Sequence, residues 1–511
     1  MGKNRKKGPL TIVDYIKHGL PFFLLIVSVV FFFLLRLPPL INHNVPYTYD
    51  QGRDFLQAAH IILDKKLTFL GPTTGVSGMF HGAWWYYVLI IPFLLFKGSP
   101  IGFYYFNCAL QFGVFLLFVW FSWKYFNKSI AALMALIIAT SPYFVMTALF
   151  TGDNIMAIPA LLVFLLLNYR LFFSAGRNQQ SPFWLLFCIG LFLGLVAEFE
   201  LAFGMFIVPL YGLGILVFKD LRKTLLRLPN FFLFISGLFA SFSLRIFFEL
   251  RHDFLQTRAL IEFFIKPHLY NPKPYIDVIR DRITLFKTYY EGLSGNWIVL
   301  LLIMILFLYL IVKVMRKHSE SPVLRFFFFM VFGLFILSTF YKDNFWSNYY
   351  EGIHLFFLMI LSILLSISEK SKIKDILVVS LMVILLLLGI IDSVKSFTNK
   401  PKIDGLIKME KVVDYIDSQI ATSGGNYCVK VYTPPAIPHT YNYLFLYHQL
   451  ANKIPQPQSQ WVNNKCWFIL ERDDYPARKI KWMHDQGLDR SKKLYGTTIV
   501  DTSVEYYEIK E

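Results

Sequence analysis

Acidic residues are scarce in this chain: 33 Asp and Glu in 511 residues, within a charged fraction of 16%. A carboxylate pair set where an apolar chain returns to water is therefore a candidate for chemistry. Cysteine is scarcer still, with four residues and no CxxC spacing, so nothing indicates a cysteine-based metal box. No His/Asp spacing matches a recognised metal set either. The apolar runs do not alternate with polar residues, which excludes a transmembrane β-barrel. Internal repeats and low-complexity tracts are missing from the sequence.

What the chain has in abundance is apolar and aromatic side chains, 56% and 18% respectively, with a positive mean hydropathy. Apolar runs fall near 20–37, 83–96, 101–121, 129–149, 155–173, 183–198, 201–218, 230–249, 297–314, 323–341, 351–368 and 374–393. Many approach the ~20 residues needed to cross a bilayer. The expected fold is an α-helical polytopic membrane protein of about 11–12 transmembrane helices, followed by a small C-terminal α/β domain. The net charge of +17 lies in short linkers between apolar runs, as orientation by the positive-inside rule produces. That placement argues against nucleic acid as a partner.

Residues 1–19 form a basic N-terminus, and the apolar stretch behind it lacks a small-residue cleavage site. It reads as a retained anchor with a cytoplasmic N-terminus. Basic linkers at 219–227, 313–317 and 370–374 are expected on the cytoplasmic side. Counting from them puts loops 250–296 and 342–350, and everything after 393, outside. Inside-to-outside topology needs an odd number of crossings, yet twelve segments are present. One therefore does not span, and the candidates are the short 83–96 run and the 129–149 run broken at Ser141-Pro142.

The expected organisation is a membrane domain over 20–397, with its first outer loop at 38–80, and a soluble extracytoplasmic domain over 398–511. The latter reads as an amphipathic helix at 403–420, an aromatic, helical stretch at 441–450, strands at 429–432 and 466–470, and a strand or hairpin at 497–509. Cys428 and Cys466 fall on two of these strands and pair if this region is extracytoplasmic. Cys108 and Cys188, inside apolar runs, read as packing residues.

The polar groups left over gather on the outer side. Tyr49-Asp50-Gln51-Gly52-Arg53-Asp54 lies in the first outer loop, which ends in Phe80-His81-Gly82-Ala83-Trp84-Trp85-Tyr86-Tyr87. Asp153 and Asn154, Glu198 and Glu200, Glu249-Leu250-Arg251-His252, and Asp343 to His354 (DNFWSNYYEGIH, with Tyr349) follow in other outer loops. If helical, the i and i+4 positions put Asp50 and Asp54 on one face, although Gly52 weakens a helix there. Aromatic faces and carboxylates together suit a cavity for a polar, sugar-like ligand. Each piece also has a plainer role: Asp54 as a partner of Arg53, the aromatics at 84–87 as an interfacial belt, and His81 as a packing group. Glu198 and Glu200 resist this, since unpaired charge beside apolar segments is costly.

A cytoplasmic N-terminus, one span and a long outer loop opening on an acidic motif resemble the GT-C glycosyltransferases. Within them the chain is most similar to bacterial and archaeal relatives of protein O-mannosyltransferases and aminoarabinose transferases, over residues 10–395. The family's Asp-Glu motif matches Asp50-Gln51 in position only, which leaves the second carboxylate's role open, with Asp54 a substitute. The usual Pro-Pro motif is replaced by Phe80-His81-Gly82, and Thr151 to Asn154 sits near a later polar motif.

The resemblance implies a plasma-membrane enzyme transferring a hexosyl or pentosyl group from a polyprenyl-phosphate-linked donor to a lipid, glycan or protein acceptor, with inversion. It implies Asp50 as the base, with Asp54 second, and Arg53 and Arg251 as phosphate partners. His81, Asp153, Asn154, Glu198, Glu200, Tyr349 and His354 would bind donor or acceptor. No cofactor is required by this chemistry, and a divalent cation is optional in the family. The alternative is a transporter or flippase of lipid-linked sugars, which favours paired repeats and mid-membrane charges. A non-catalytic assembly protein is a third reading.

Overall fold

The computed structural model describes residues 12–175, 182–266, 271–316, 321–399, 402–423, 425–434 and 437–509. The first eleven residues of the expected basic N-terminus lie outside these. Helix α1 (Ile12–Leu34) and the short α2 (Leu37–Ile41) lead into α3 (Tyr49–Leu63), in the long segment ahead of the second apolar run. Then come α4 (Trp84–Leu95), α5 (Pro100–Tyr125), α6 (Lys128–Thr140), α7 (Pro142–Leu149), α8 (Asp153–Ala175) and α9 (Phe183–Phe199). The middle of the chain forms α10 (Leu201–Val217), α11 (Lys219–Leu225), α12 (Leu228–Ser241), α13 (Ser243–Arg251), α14 (Leu255–Ile265) and α15 (Tyr275–Glu291). The helices α16 (Trp297–Arg316), α17 (Pro322–Ser338), α18 (His354–Ile367) and α19 (Lys372–Thr398) complete the apolar body.

Each of the twelve apolar segments is helical, but they are not alike. Among the described residues, six helices are long and apolar enough to cross a membrane, or nine if each bent pair counts as one span. The other three segments, on α4, α9 and α17, form shorter apolar helices. The two suspected segments are both irregular: α4 has only 12 residues, and α6 and α7 meet at 58°. Pro142 opens α7, where its missing N–H does no harm. The bends of 98° between α10 and α11 and 69° between α12 and α13 are not marked by proline in the sequence.

A buried arginine braces the first of these breaks. Arg36 is fully buried and donates to the carbonyls of Phe32 and Ala139 at 3.0 Å and Ile138 at 3.3 Å. The guanidinium thus satisfies the end of α6, where helix carbonyls lack partners. Helices α9 and α12 touch backbone to backbone: a Cβ on Gly190 would collide with the Phe234 carbonyl, and one on Gly237 with that of Phe187. Small residues permit this approach in membranes.

The C-terminal region consists of α20 (Gly405–Ser423), α21 (His439–Asn452), α22 (Pro476–Asp485) and a four-stranded sheet. Strand β1 (Val429–Tyr432) runs parallel to β2 (Lys465–Leu470). Strands β3 (Ser491–Ile499) and β4 (Thr502–Ile509) form a hairpin, and the order is β1-β2-β4-β3. Cys428 and Cys466 are joined in a disulfide. The region is seated on the membrane body through α21, which packs along α3.

Candidate active site

The acidic motif folds as the opening turns of α3. Thr48, ahead of the helix, donates through its N–H to Gln51 Oε1 at 2.7 Å. The Gln51 amide then donates to the Thr151 carbonyl at 2.8 Å. Gln51 is buried and uses both an acceptor and a donor, which a glutamate carboxylate cannot do. The departure from Asp-Glu thus has a structural reason: Gln51 ties α3 to the turn carrying Asp153 and Asn154.

Arg53 stands between the two acids. Its Nη1 lies 2.9 Å from Asp50 Oδ1 and its Nε 2.8 Å from Asp54 Oδ1. The acids differ sharply in setting. The Asp50 side chain is 64% exposed, that of Asp54 only 3%. Asp54 also accepts from the Trp85 indole N–H at 2.8 Å. Burial pushes the Asp54 carboxyl up to about 7, against the opposing pull of the Arg53 charge.

These residues line a cavity of about 660 Å³. Nine residues expected from the sequence meet there: Asp50, Arg53, Asp54, His81, Asp153, Asn154, Glu200, Tyr349 and His354. His81 Nδ1 lies 3.3 Å from Asp153 Oδ2. Burial, with Arg245 and Arg53 nearby, lowers the imidazole to about 3, so His81 is neutral at physiological pH. Glu200 accepts from the Ala202 N–H at the start of α10. His354 stacks on Tyr143 with ring centres 3.5 Å apart, and its Nδ1 has no hydrogen-bond partner among the described residues.

Two expected residues lie elsewhere. Glu198 is fully buried behind the cavity, where Arg245 Nε meets it at 2.6 Å. Arg251 is exposed at the end of α13 and lines no described cavity. On that helix Glu249 turns inward and accepts from the N–H groups of Gln256 and Thr257. Arg245, four residues earlier, shares that face, and Arg251 does not.

Residues not singled out in the sequence complete the wall. Glu351 accepts from Tyr143 Oη at 2.5 Å and from the Asn154 amide at 3.0 Å. Tyr289 and Thr288 of α15 also line the cavity. The signal for Glu351 was present, as an acid inside the aromatic segment 343–354, but its partners come from distant helices. A second cavity of about 610 Å³ shares Thr74, Gly75, His81, Glu200 and Tyr349 with the first, and adds Met205, Phe206, Phe263, Phe345 and Trp346.

Among the described residues, Arg53 is the one arginine or lysine on the first cavity's wall, facing the acids Asp50, Asp54, Asp153, Glu200 and Glu351. Several of these acids are committed to protein donors. Among the described residues, no three His, Cys, Asp or Glu side chains are gathered where they could hold a metal ion.

No family model matches the sequence, and no curated protein matches it. Two solved structures are similar along nearly the whole chain. ArnT from Cupriavidus metallidurans bound to undecaprenyl phosphate aligns with a TM-score of 0.56 at 12% identity, covering 96% of this chain and 98% of that one. The apo state of the same protein aligns with a TM-score of 0.56 at 10% identity over the same shares. The fold is thus that of the ArnT structures.

Proposed function

We propose that this chain is a membrane glycosyltransferase that moves a sugar from a polyprenyl-phosphate-linked donor to an acceptor at the outer membrane face. The observation that carries the reading is Asp50: a solvent-reached carboxylate, braced by Arg53, on the wall of an acid- and aromatic-lined cavity. The likeness to a structure holding undecaprenyl phosphate supports the donor class. The disulfide supports the outer face, because disulfides persist in oxidising compartments. It lies in the region whose α21 packs on α3, so the site and the disulfide share one side.

In this reading Asp50 takes the proton from the acceptor hydroxyl as its oxygen attacks the anomeric carbon. The bond from that carbon to the donor phosphate breaks on the opposite face, with inversion, and the polyprenyl phosphate leaves with the bonding electrons. Arg53 offers its remaining N–H groups to the phosphate oxygens. Asp54 touches neither substrate and holds Arg53 in place. The first cavity takes the donor sugar, and the second, with its aromatic and apolar wall, takes the acceptor. No step needs a cofactor.

Purified protein given labelled polyprenyl-phosphate sugars and a membrane extract is expected to transfer the label. No transfer from any donor would favour a transporter of lipid-linked sugars instead.

The pH dependence is a second expectation. As pH falls through about 7, Asp54 takes up a proton and Arg53 loses its buried counter-charge, so kcat/KM falls. Stability moves the other way. A folded-state value above the unfolded one means the native protein binds this proton more tightly, so stability falls as pH rises from about 4 to about 7. Rate profiles and thermal melts should show these opposite trends. An Asp54→Asn variant that keeps the wild-type rate profile would remove Asp54 from the account.

A further inference from the structure

The segment bearing the acid pair is held along its length by the far end of the chain. The N–H groups of Leu406 and Ile407 donate to the Val45 and His43 carbonyls, each at 3.0 Å. His43 Nδ1 meets Glu410 Oε2 at 2.7 Å. Further on, Tyr47 Oη donates to the Thr440 carbonyl at 3.1 Å, and the His439 ring lies 4.8 Å from that of Tyr49.

The tightest approach is at Gly52. A Cβ there would stand 2.6 Å from the His439 carbonyl carbon and from Thr440 Cα, and closer still to the Thr440 nitrogen. These are backbone atoms of another helix and cannot rotate away. Glycine inside a helix is destabilising relative to alanine, so its place between Asp50 and Asp54 calls for a reason. The close seat of α21 supplies one.

We propose that the C-terminal region is a positioning element of the reaction site: α21, seated on Gly52, sets where Asp50 and Arg53 stand in the cavity. The inference rests on the glycosyltransferase reading for its effect on rate, although the seating itself does not. Asp50 and Arg53 flank Gly52 within two residues, so a shift of α3 against α21 moves both. A displacement of about 1 Å can cost about 10²-fold in rate while binding persists. His439 and Thr440 act through α3 and are positioning residues.

The test uses the full-length protein in lipid nanodiscs. Gly52→Ala is expected to lower kcat by about tenfold or more, with donor KM within about twofold, and to lower the melting temperature modestly as the seat is forced apart. Hydrogen exchange should accelerate over 49–56 and stay unchanged in α8 and α18. His439→Ala, which adds no bulk, should lower kcat several-fold and leave KM alone. Wild-type kcat in both variants overturns the proposal. So does a loss of rate accompanied by faster exchange throughout the membrane helices, which would mark a purely structural role. If wild-type protein transfers no sugar, the glycosyltransferase reading fails, and exchange still decides the seating: unchanged exchange over 49–56 in both variants overturns it.

Discussion

Asp50→Asn is expected to lower kcat by about 10²–10⁴-fold, the range a positioned general base contributes, with little change in donor KM. The substitution keeps the shape of the side chain and removes its basicity. It should cost little stability, because the Asp50 side chain is mostly exposed and Arg53 keeps its second partner in Asp54. The decisive measurement is single-turnover transfer from a labelled polyprenyl-phosphate sugar, alongside a melting curve showing intact protein. A variant that transfers at the wild-type rate would move the base to another acid on the wall. Asp153 and Glu351 are then the next to test, since both line the same cavity.

The contrast between the two acids shows what the sequence can and cannot carry. Their spacing was enough to place Asp50 and Asp54 on one helical face at a membrane boundary. Nothing in the spacing told which one is buried. That difference comes from Trp85, thirty-one residues later, whose indole reaches Asp54. Gly52 looked like a reason to doubt the helix, because intrinsic propensity was the available rule. Contact with α21, nearly four hundred residues away, overrides it.

Other features divide along the same line. Length and apolarity located the twelve apolar helical segments, and short apolar, β-branched and aromatic runs located most of the C-terminal strands, because these signals are local. The bends at 217–219 and 241–243 were not legible, since neither carries proline. Gln51 read as a missing acid until its amide was seen bridging to Thr151. Glu351 depends on Tyr143 and Asn154 meeting it from separate helices, and no pattern within 343–354 encodes that. Arg245 did leave a trace that could have been used: it is a lone arginine inside the apolar run 230–249, and such residues have partners.

That arginine carries the largest expected effect on stability. Arg245 holds three separate elements: Glu198 at the end of α9, the Phe80 carbonyl ahead of α4 at 3.1 Å, and Gln256 of α14 at 2.7 Å. Arg245→Ala leaves Glu198 fully buried without its counter-charge, and breaking a buried pair in this way costs about 3–5 kcal/mol. The loss should shrink at acid pH, where a proton neutralises the orphaned carboxylate. Pairing Arg245→Met with Glu198→Gln should recover much of the stability, because no unpaired charge remains. Melting curves of Arg245→Met, Glu198→Gln and the double, each at neutral and acid pH, complete the cycle. A single Arg245→Ala variant that melts with the wild type at neutral pH would mean Glu198 is not held by this pair. The end of α9 and the segment leading into α4 would then need another anchor.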